Sequence, residues 1–207
     1  MPRHVAFLRA INVGGRTVRM EALRRLFEEM GFTNVETFIA SGNVIFDAPV
    51  PRGDRLERRI EQALREALGY EVATFVRTPS ELADVVRHEP FDAADVEAAR
   101  ALYVLFLKAP LGDAARQALA ALRTETDDFH SHGREAYWLV RTPMSESKVT
   151  GARLERALGG PATARNVTTV RMLAAKYAAP SAAPPLIRRP ASPPRRRRAP
   201  PPRAGPG

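Results

Sequence analysis

The chain has 207 residues, 44% of them hydrophobic, no cysteine and a formal net charge of +9. That length fits one domain or two small ones, the missing thiols exclude disulfides and cysteine chemistry, and no apolar run is long enough to cross a bilayer. The opening MPRHVAFLRA lacks the apolar segment and small-residue cleavage site of a secretion signal, so a cytoplasmic protein with no membrane partner is expected. The charge is concentrated at one end. Arg188, Arg189, Arg195, Arg196, Arg197, Arg198 and Arg203 follow residue 177 in a stretch without an acid, and setting them aside leaves +2 for residues 1–177. Residues 178–207 are rich in Pro, Ala and Arg and are expected to be disordered, because few of their groups can pack. Their four-arginine run either binds nucleic acid weakly and nonspecifically by counterion release or is only a solvated extension.

In chain order, residues 4–9 read as a strand, and 19–30 as a helix with the stripe Met20, Leu23, Leu26, Phe27 and Met30, closed by Gly31. VETFIA and VIFD form a hairpin about Gly42. A helix over 54–68 points Leu56, Ile60, Ala63, Leu64 and Ala67 inward and ends at Gly69, and residues 72–77 make a fourth strand. Thr78, Pro79 and Glu81 are the N-cap, first position and capping-box partner of a connector helix over 79–88. The order then restarts: a strand over 102–108, a helix from Asp113 to about 122, a hairpin around Gly133, and a helix over 149–158 ended by Gly159-Gly160. Last comes a helix over 167–177 capped by Asn166. The first half is β-α-β-β-α-β, and the second repeats it with a helix in place of the final strand. The expected fold is α+β, two ferredoxin-like split-βαβ units made by internal duplication, with antiparallel sheets packed by helices. The expected division is 1–77, first unit; 78–101, connector; 102–177, second unit with its C-terminal helix; and 178–207, tail.

The stretch FLRAINVGGRTVRM has the layout of a phosphate loop: strand, glycines, helix. It is not a Walker loop. Aligned on Gly15-Arg16-Thr17, the first glycine falls on Ala10 and the lysine on Arg16, and the following helix feeds an antiparallel hairpin. A dinucleotide-binding pattern fails too, since Gly14 and Gly15 are adjacent and alone. Two readings stay open. Glycines before a helix N-terminus expose N–H groups to an anion, with Arg9, Asn12 and Arg16 adding donors. Alternatively, Gly14 and Gly15 only supply positive φ to a tight turn.

FLRAINVGGRTVRM, LFEEMGFTNVETFIASGNVIFD and SESKVTGARLERALGGPATARNVTTV, in this order, resemble the mostly bacterial family known as domain of unknown function sixteen-ninety-seven, over about residues 3–177. The resemblance implies a duplicated α+β fold of ferredoxin-like halves and no established activity or cofactor. The chain departs from the family at Ala10, where members usually have Gly, and at Val167-Thr168, where they have Trp-Asn.

Other constellations are weaker. TARN (163–166) reads as a second loop before a helix, with Arg165 placed to hold an anion or Asn166 simply capping. Ser145 and Lys148 have the spacing of the penicillin-recognising serine enzymes without their partner motifs, and a helix entry with Ser147 as cap is the plainer reading. His130 and His132 share a strand face beside Asp128, but no third histidine lies near in sequence, so no metal site is assigned. Phe7, Phe46, Tyr103, Tyr137 and Trp138 read as core rather than as base-stacking surface. The leading expectation is a small anionic or phosphate-bearing ligand, with Arg9, Asn12, Gly14, Gly15, Arg16, Ser41, Asn43, Lys148, Arg165 and Asn166 converging on one surface. A nucleic-acid-associated protein using the basic tail, and a ligand-free interaction scaffold, are the alternatives. No acid/base pair or activated nucleophile emerges.

Overall fold

The computed structural model of the chain describes residues 1–12, 15, 17–40, 42–49 and 53–177. The tail, and Gly14, Arg16 and Ser41 of the candidate residues, lie outside the described residues.

The first half runs β1 (Arg3–Leu8), α1 (Met20–Glu29), β2 (Thr33–Phe38), β3 (Asn43–Asp47), α2 (Asp54–Leu68) and β4 (Thr74–Arg77). The connector holds α3 (Pro79–Arg87) and α4 (Ala93–Ala98). The second half runs β5 (Ala101–Phe106), α5 (Asp113–Ala120), β6 (Asp127–His132), β7 (Glu135–Val140), α6 (Gly151–Leu158) and β8 (Thr163–Asn166), followed by α7 (Val167–Tyr177). The sheets have the orders β2-β3-β1-β4 and β6-β7-β5-β8, antiparallel throughout. Both are the ferredoxin-like order, so the mixed α+β architecture and the repeat agree with the sequence pattern.

Alternation along the strands sends side chains to two faces; one face of each sheet has its own core and the other two share one. Ala6, Leu8, Val44 and Phe46 pack on Leu23 and Phe27 of α1 and on Leu56, Ile60 and Leu64 of α2. Leu105, Ala136 and Trp138 pack on Leu119 of α5 and Leu154 and Leu158 of α6. The remaining faces meet in a third core, where Val5, Phe7 and Ile45 join Val104, Phe106 and Leu139, together with α3 and α7. At its centre the rings of Phe7 and Phe106 stack 3.9 Å apart, 10° from parallel. Such a pair adds about 1 kcal/mol beyond its buried area.

Local signals account for most element ends. The Thr78–Glu81 capping box is formed with Pro79 in the first turn, and Gly69 and Gly159 close α2 and α6 in the left-handed conformation. Three readings need correction. TARN is not a loop but β8, an edge strand pairing with β5 from Tyr103↔Asn166 to Phe106↔Thr163. The second half therefore completes β-α-β-β-α-β, and α7 follows β8 as α3 follows β4. The connector contains α4 beside α3, a six-residue helix without a buried side chain. The helix expected from 149 begins at Gly151, because Thr150 rather than Ser147 is its cap, accepting from the Arg153 N–H at 3.3 Å.

Candidate anion-binding cleft

The strand registers make the halves interchangeable. Phe7 lies opposite Asn43 and Phe106 opposite Glu135, while Arg77 lies opposite Val5 and Arg165 opposite Val104. Arg77 and Arg165 are thus equivalent, each closing the last strand of its unit. Each reaches into the other unit and makes matching contacts there, besides a bond to the carbonyl of the residue before it. Arg77 Nε donates to Glu135 at 2.6 Å, Nη1 to the Val76 carbonyl at 2.9 Å, and Nη2 to the Leu107 and Arg134 carbonyls at 2.9 Å. Arg165 Nε donates to Asn43 Oδ1 at 2.6 Å, Nη1 to the Ala164 carbonyl at 2.8 Å, and Nη2 to the Leu8 and Gly42 carbonyls at 2.9 and 3.4 Å. Their guanidinium carbons lie 5.4 Å from the Phe106 ring and 5.6 Å from the Phe7 ring. The two are reciprocal latches about a pseudo-twofold axis through the Phe7–Phe106 stack.

They differ in two groups: Arg77 meets a carboxylate and Arg165 a carboxamide, and Arg165 Nη1 also donates to the Thr163 hydroxyl at 2.7 Å, where the equivalent residue is Phe75. Burial pushes Arg77 below the usual arginine range, against the pull of Glu135. Burial pushes Arg165 down to about 10, so it keeps its charge at neutral pH.

Arg165 lines a cleft of about 370 Å³ with Arg9, Ala10, Asn12, Ala40 and Ala164. The loop after β1 is shaped by Asn12, whose Oδ1 accepts from the Val18 N–H at 2.7 Å while Nδ2 donates to the Ala40 carbonyl at 3.2 Å. Gly42 is required where that loop meets the hairpin. Its φ is +75°, and a Cβ there would stand 2.7 Å from Ile11 Cγ2 and 3.2 Å from Leu8 Cβ. Two non-glycine residues beside the cleft also hold positive φ: Ala10 at 54° and Ile39, next to Ala40, at 50°. Each costs about 1–2 kcal/mol, and backbone held this way clusters at binding sites. The glycine usual in the resembling family at Ala10 would carry no such cost.

Arg9 also borders a groove of about 560 Å³ lined by Arg58, Arg65, Lys108, Glu61 and Glu71. Here the pseudo-symmetry returns. Arg9 follows β1 and pairs with Glu155 of α6, while Lys108 follows β5 and pairs with Glu57 and Glu61 of α2 at 3.0 and 2.6 Å. Arg58 and Arg65 are exposed and have no ion pair among the described residues.

Of the described candidate residues, Arg9, Asn12 and Arg165 meet at the cleft, and Asn43 joins them through Arg165. Gly15 sits exposed on the same loop. Lys148 is exposed on the 141–150 loop and does not line the cleft. Asn166 Oδ1 accepts from the Thr168 N–H at 2.9 Å, capping α7. Arg77, Glu135, Lys108, Arg58 and Arg65 were not foreseen; the shared arginine in TFVR and TARN was the available signal for the first.

Ser147 donates to Asp127 at 2.8 Å, as does Trp138 Nε1 at 2.9 Å. Burial raises the Asp127 carboxyl, but these bonds and those from Thr126 and Thr124 outweigh it and hold the group below its usual range. A third histidine does stand near His130 and His132: the His88 ring lies 4.1 Å from His132 and 5.3 Å from His130. The first pair is stacked 15° from parallel, Asp128 pairs with Arg123 at 2.6 Å, and no group of three ligands among the described residues can hold a metal. Among the described residues, no helix is long and apolar enough to cross a membrane.

A comparison with curated proteins finds no match. Among solved structures the fold is similar to that of a conserved bacterial protein from Streptococcus pneumoniae, with TM-score 0.65 and 22% identity over 86% of this chain and 98% of that one. Residues 1–137, which include the cleft loop and the Gly42 hairpin but not β8, match the family model described as a protein of unknown function, DUF1697, and the chain belongs to that family.

Proposed function

We propose that the chain binds a small anionic or phosphate-bearing ligand in the cleft between the loop after β1 and β8. The observation that carries this reading is the meeting of Arg9 and Asn12, from one loop, with Arg165, distant in sequence, around one cleft of about 370 Å³. Arg165, whose N–H groups are engaged within the protein, holds its charge beside a carboxamide where the related Arg77 has a carboxylate and places a positive field behind the cleft, while the more exposed Arg9 guanidinium is the donor that a carboxylate or phosphate would meet. The adjoining groove adds Arg58 and Arg65, whose charge raises the local anion concentration. The held backbone at Ala10 and Ile39 fixes the mouth of the cleft.

Calorimetric titration of the full chain with pyrophosphate, at two ionic strengths, tests the reading. Arg9→Ala should weaken binding about tenfold, the loss of one charge-assisted contact. Asn43→Glu, which gives Arg165 the partner Arg77 already has, should weaken it similarly without unfolding the chain. Tail arginines are common to all variants and cancel. Pyrophosphate binding that neither substitution alters refutes the cleft as the site.

A further inference from the structure

The connector encloses a second space, unrelated to the cleft. A cavity of about 230 Å³ lies between the end of α3, α4 and the start of α7. Val85, Phe91, Val96 and Leu102 form apolar wall, and Tyr137 and His88 add polar groups. A concavity walled mainly by apolar side chains with a few polar groups is the usual form of a small-molecule site.

The pseudo-symmetry shows that the fold does not require it. The registers carry Tyr137 onto Ile45 and Leu102 onto Arg3, and the positions of Val85 in α3 and of His88 at its C-cap fall on Leu173 and Lys176 in α7. Around those related positions the space is filled. Arg3 pairs with Glu36 and lies 5.2 Å from the Tyr177 ring centre, while Lys176 Nζ and the Tyr177 hydroxyl reach Glu36 at 3.1 and 2.8 Å. The 88–100 connector, which packs through half-buried Phe91 and Val96 and through no buried side chain of α4, is what departs from the symmetry.

His88 marks the polar end. Its ring is 5.2 Å from Tyr137, and its Nε2 is buried without a hydrogen-bond partner among the described residues. Burial, and then the neighbouring His132 and His130, hold it below the usual histidine range, so the ring is neutral at pH 7 and one nitrogen accepts. The exposed charges on the lining, Glu89, Glu97 and Arg171, are of both signs and select neither cation nor anion.

We propose that this cavity binds an uncharged, planar heteroaromatic molecule carrying one N–H or O–H group that hydrogen-bonds to His88. Its size follows by proportion. A dry cavity of about 150 Å³ holds benzene, so this one takes about nine non-hydrogen atoms, two fused rings.

The probe is indole, with benzofuran as the isostere lacking the N–H, titrated into the full chain and followed by backbone amide NMR. Indole should give saturable shifts confined to 85–97, Leu102, Tyr137 and Val167, with Kd about 1 mM or tighter. Benzofuran should bind about fivefold more weakly, the worth of one hydrogen bond. Val96→Phe and, separately, Ala93→Leu fill the space and should each weaken indole binding at least about tenfold, with the remaining resonances unmoved to show the fold is intact. The proposal is overturned by the absence of saturable indole shifts, by shifts that persist in both filled variants, or by equal binding of indole and benzofuran.

Discussion

Replacing each latch arginine by methionine separates what the two latches hold. Arg77→Met strands Glu135, whose side chain is 10% exposed, as a buried carboxylate without its cation. Breaking a buried pair from one side costs about 3–5 kcal/mol. Arg165→Met leaves no charge behind: it takes a donor from the Asn43 carboxamide oxygen and from the Thr163 hydroxyl, which can rotate to another partner, and Asn43 Nδ2 keeps its bond to the Phe38 carbonyl at 3.0 Å. An orphaned neutral acceptor costs about 1–3 kcal/mol. The contacts to Phe106 and Phe7 are alike and cancel, so the difference is about 2 kcal/mol in favour of the Arg165 variant. In urea, with a slope of about 2 kcal/mol per molar, the midpoint should fall by about 2 M for Arg77→Met and about 1 M for Arg165→Met. Trp138 fluorescence reports the second unit and far-UV circular dichroism reports both, so the two signals should move together. Adding Glu135→Gln to Arg77→Met should recover part of the loss, because the stranded charge is gone. Equal costs for the two arginines, or no recovery with Glu135→Gln, would refute the reasoning.

Ala10→Gly relieves a positive φ and should raise stability by up to about 1 kcal/mol, net of the glycine's greater unfolded freedom; a lowered urea midpoint would count against it. Gly42→Ala places a methyl against Ile11 and Leu8 at positive φ, and should cost more than about 2 kcal/mol by the same assay. His88 and His130 are both held below the ordinary histidine value of 6.5, chiefly by burial. The unfolded chain therefore binds their protons first as pH falls, so stability is full above about 6.5 and declines below it. Thermal midpoints between pH 7.5 and 5.5 should show that decline, and His88→Gln with His130→Gln should flatten it.

The repeated sheet order was readable because its strands and amphipathic helices carry strong period-2 and period-3.6 patterns, and glycine or a capping box marks several ends. β8 escaped because TARN has four residues, none apolar beyond alanine, and is held by pairing with β5. A strand that short is defined by its neighbour and not by its own propensity. Asn43 and Arg165 were both read as site residues and do meet, 122 positions apart, but they meet each other first. Arg77 is the last residue of the strand read over 72–77. Its burial depends on the second sheet packing over it, and nothing local to VATFVR encodes that. The connector cavity was equally hidden, since it exists only where α4 spans the gap between α3 and α7.

The Arg77–Glu135 and Arg165–Asn43 latches bear on what fusing two units in one chain permits. Two identical units docked about a true twofold would have to carry the same residue at positions 43 and 135. A carboxylate on one side would impose a carboxylate on the other, and a carboxamide likewise. Joined by residues 78–100, the halves can differ: one interface contact stays a neutralised ion pair, while its twin keeps a net positive charge beside the cleft. The connector thus makes possible a division of labour, one latch for cohesion and one for charge, that no symmetric pair of identical units can have.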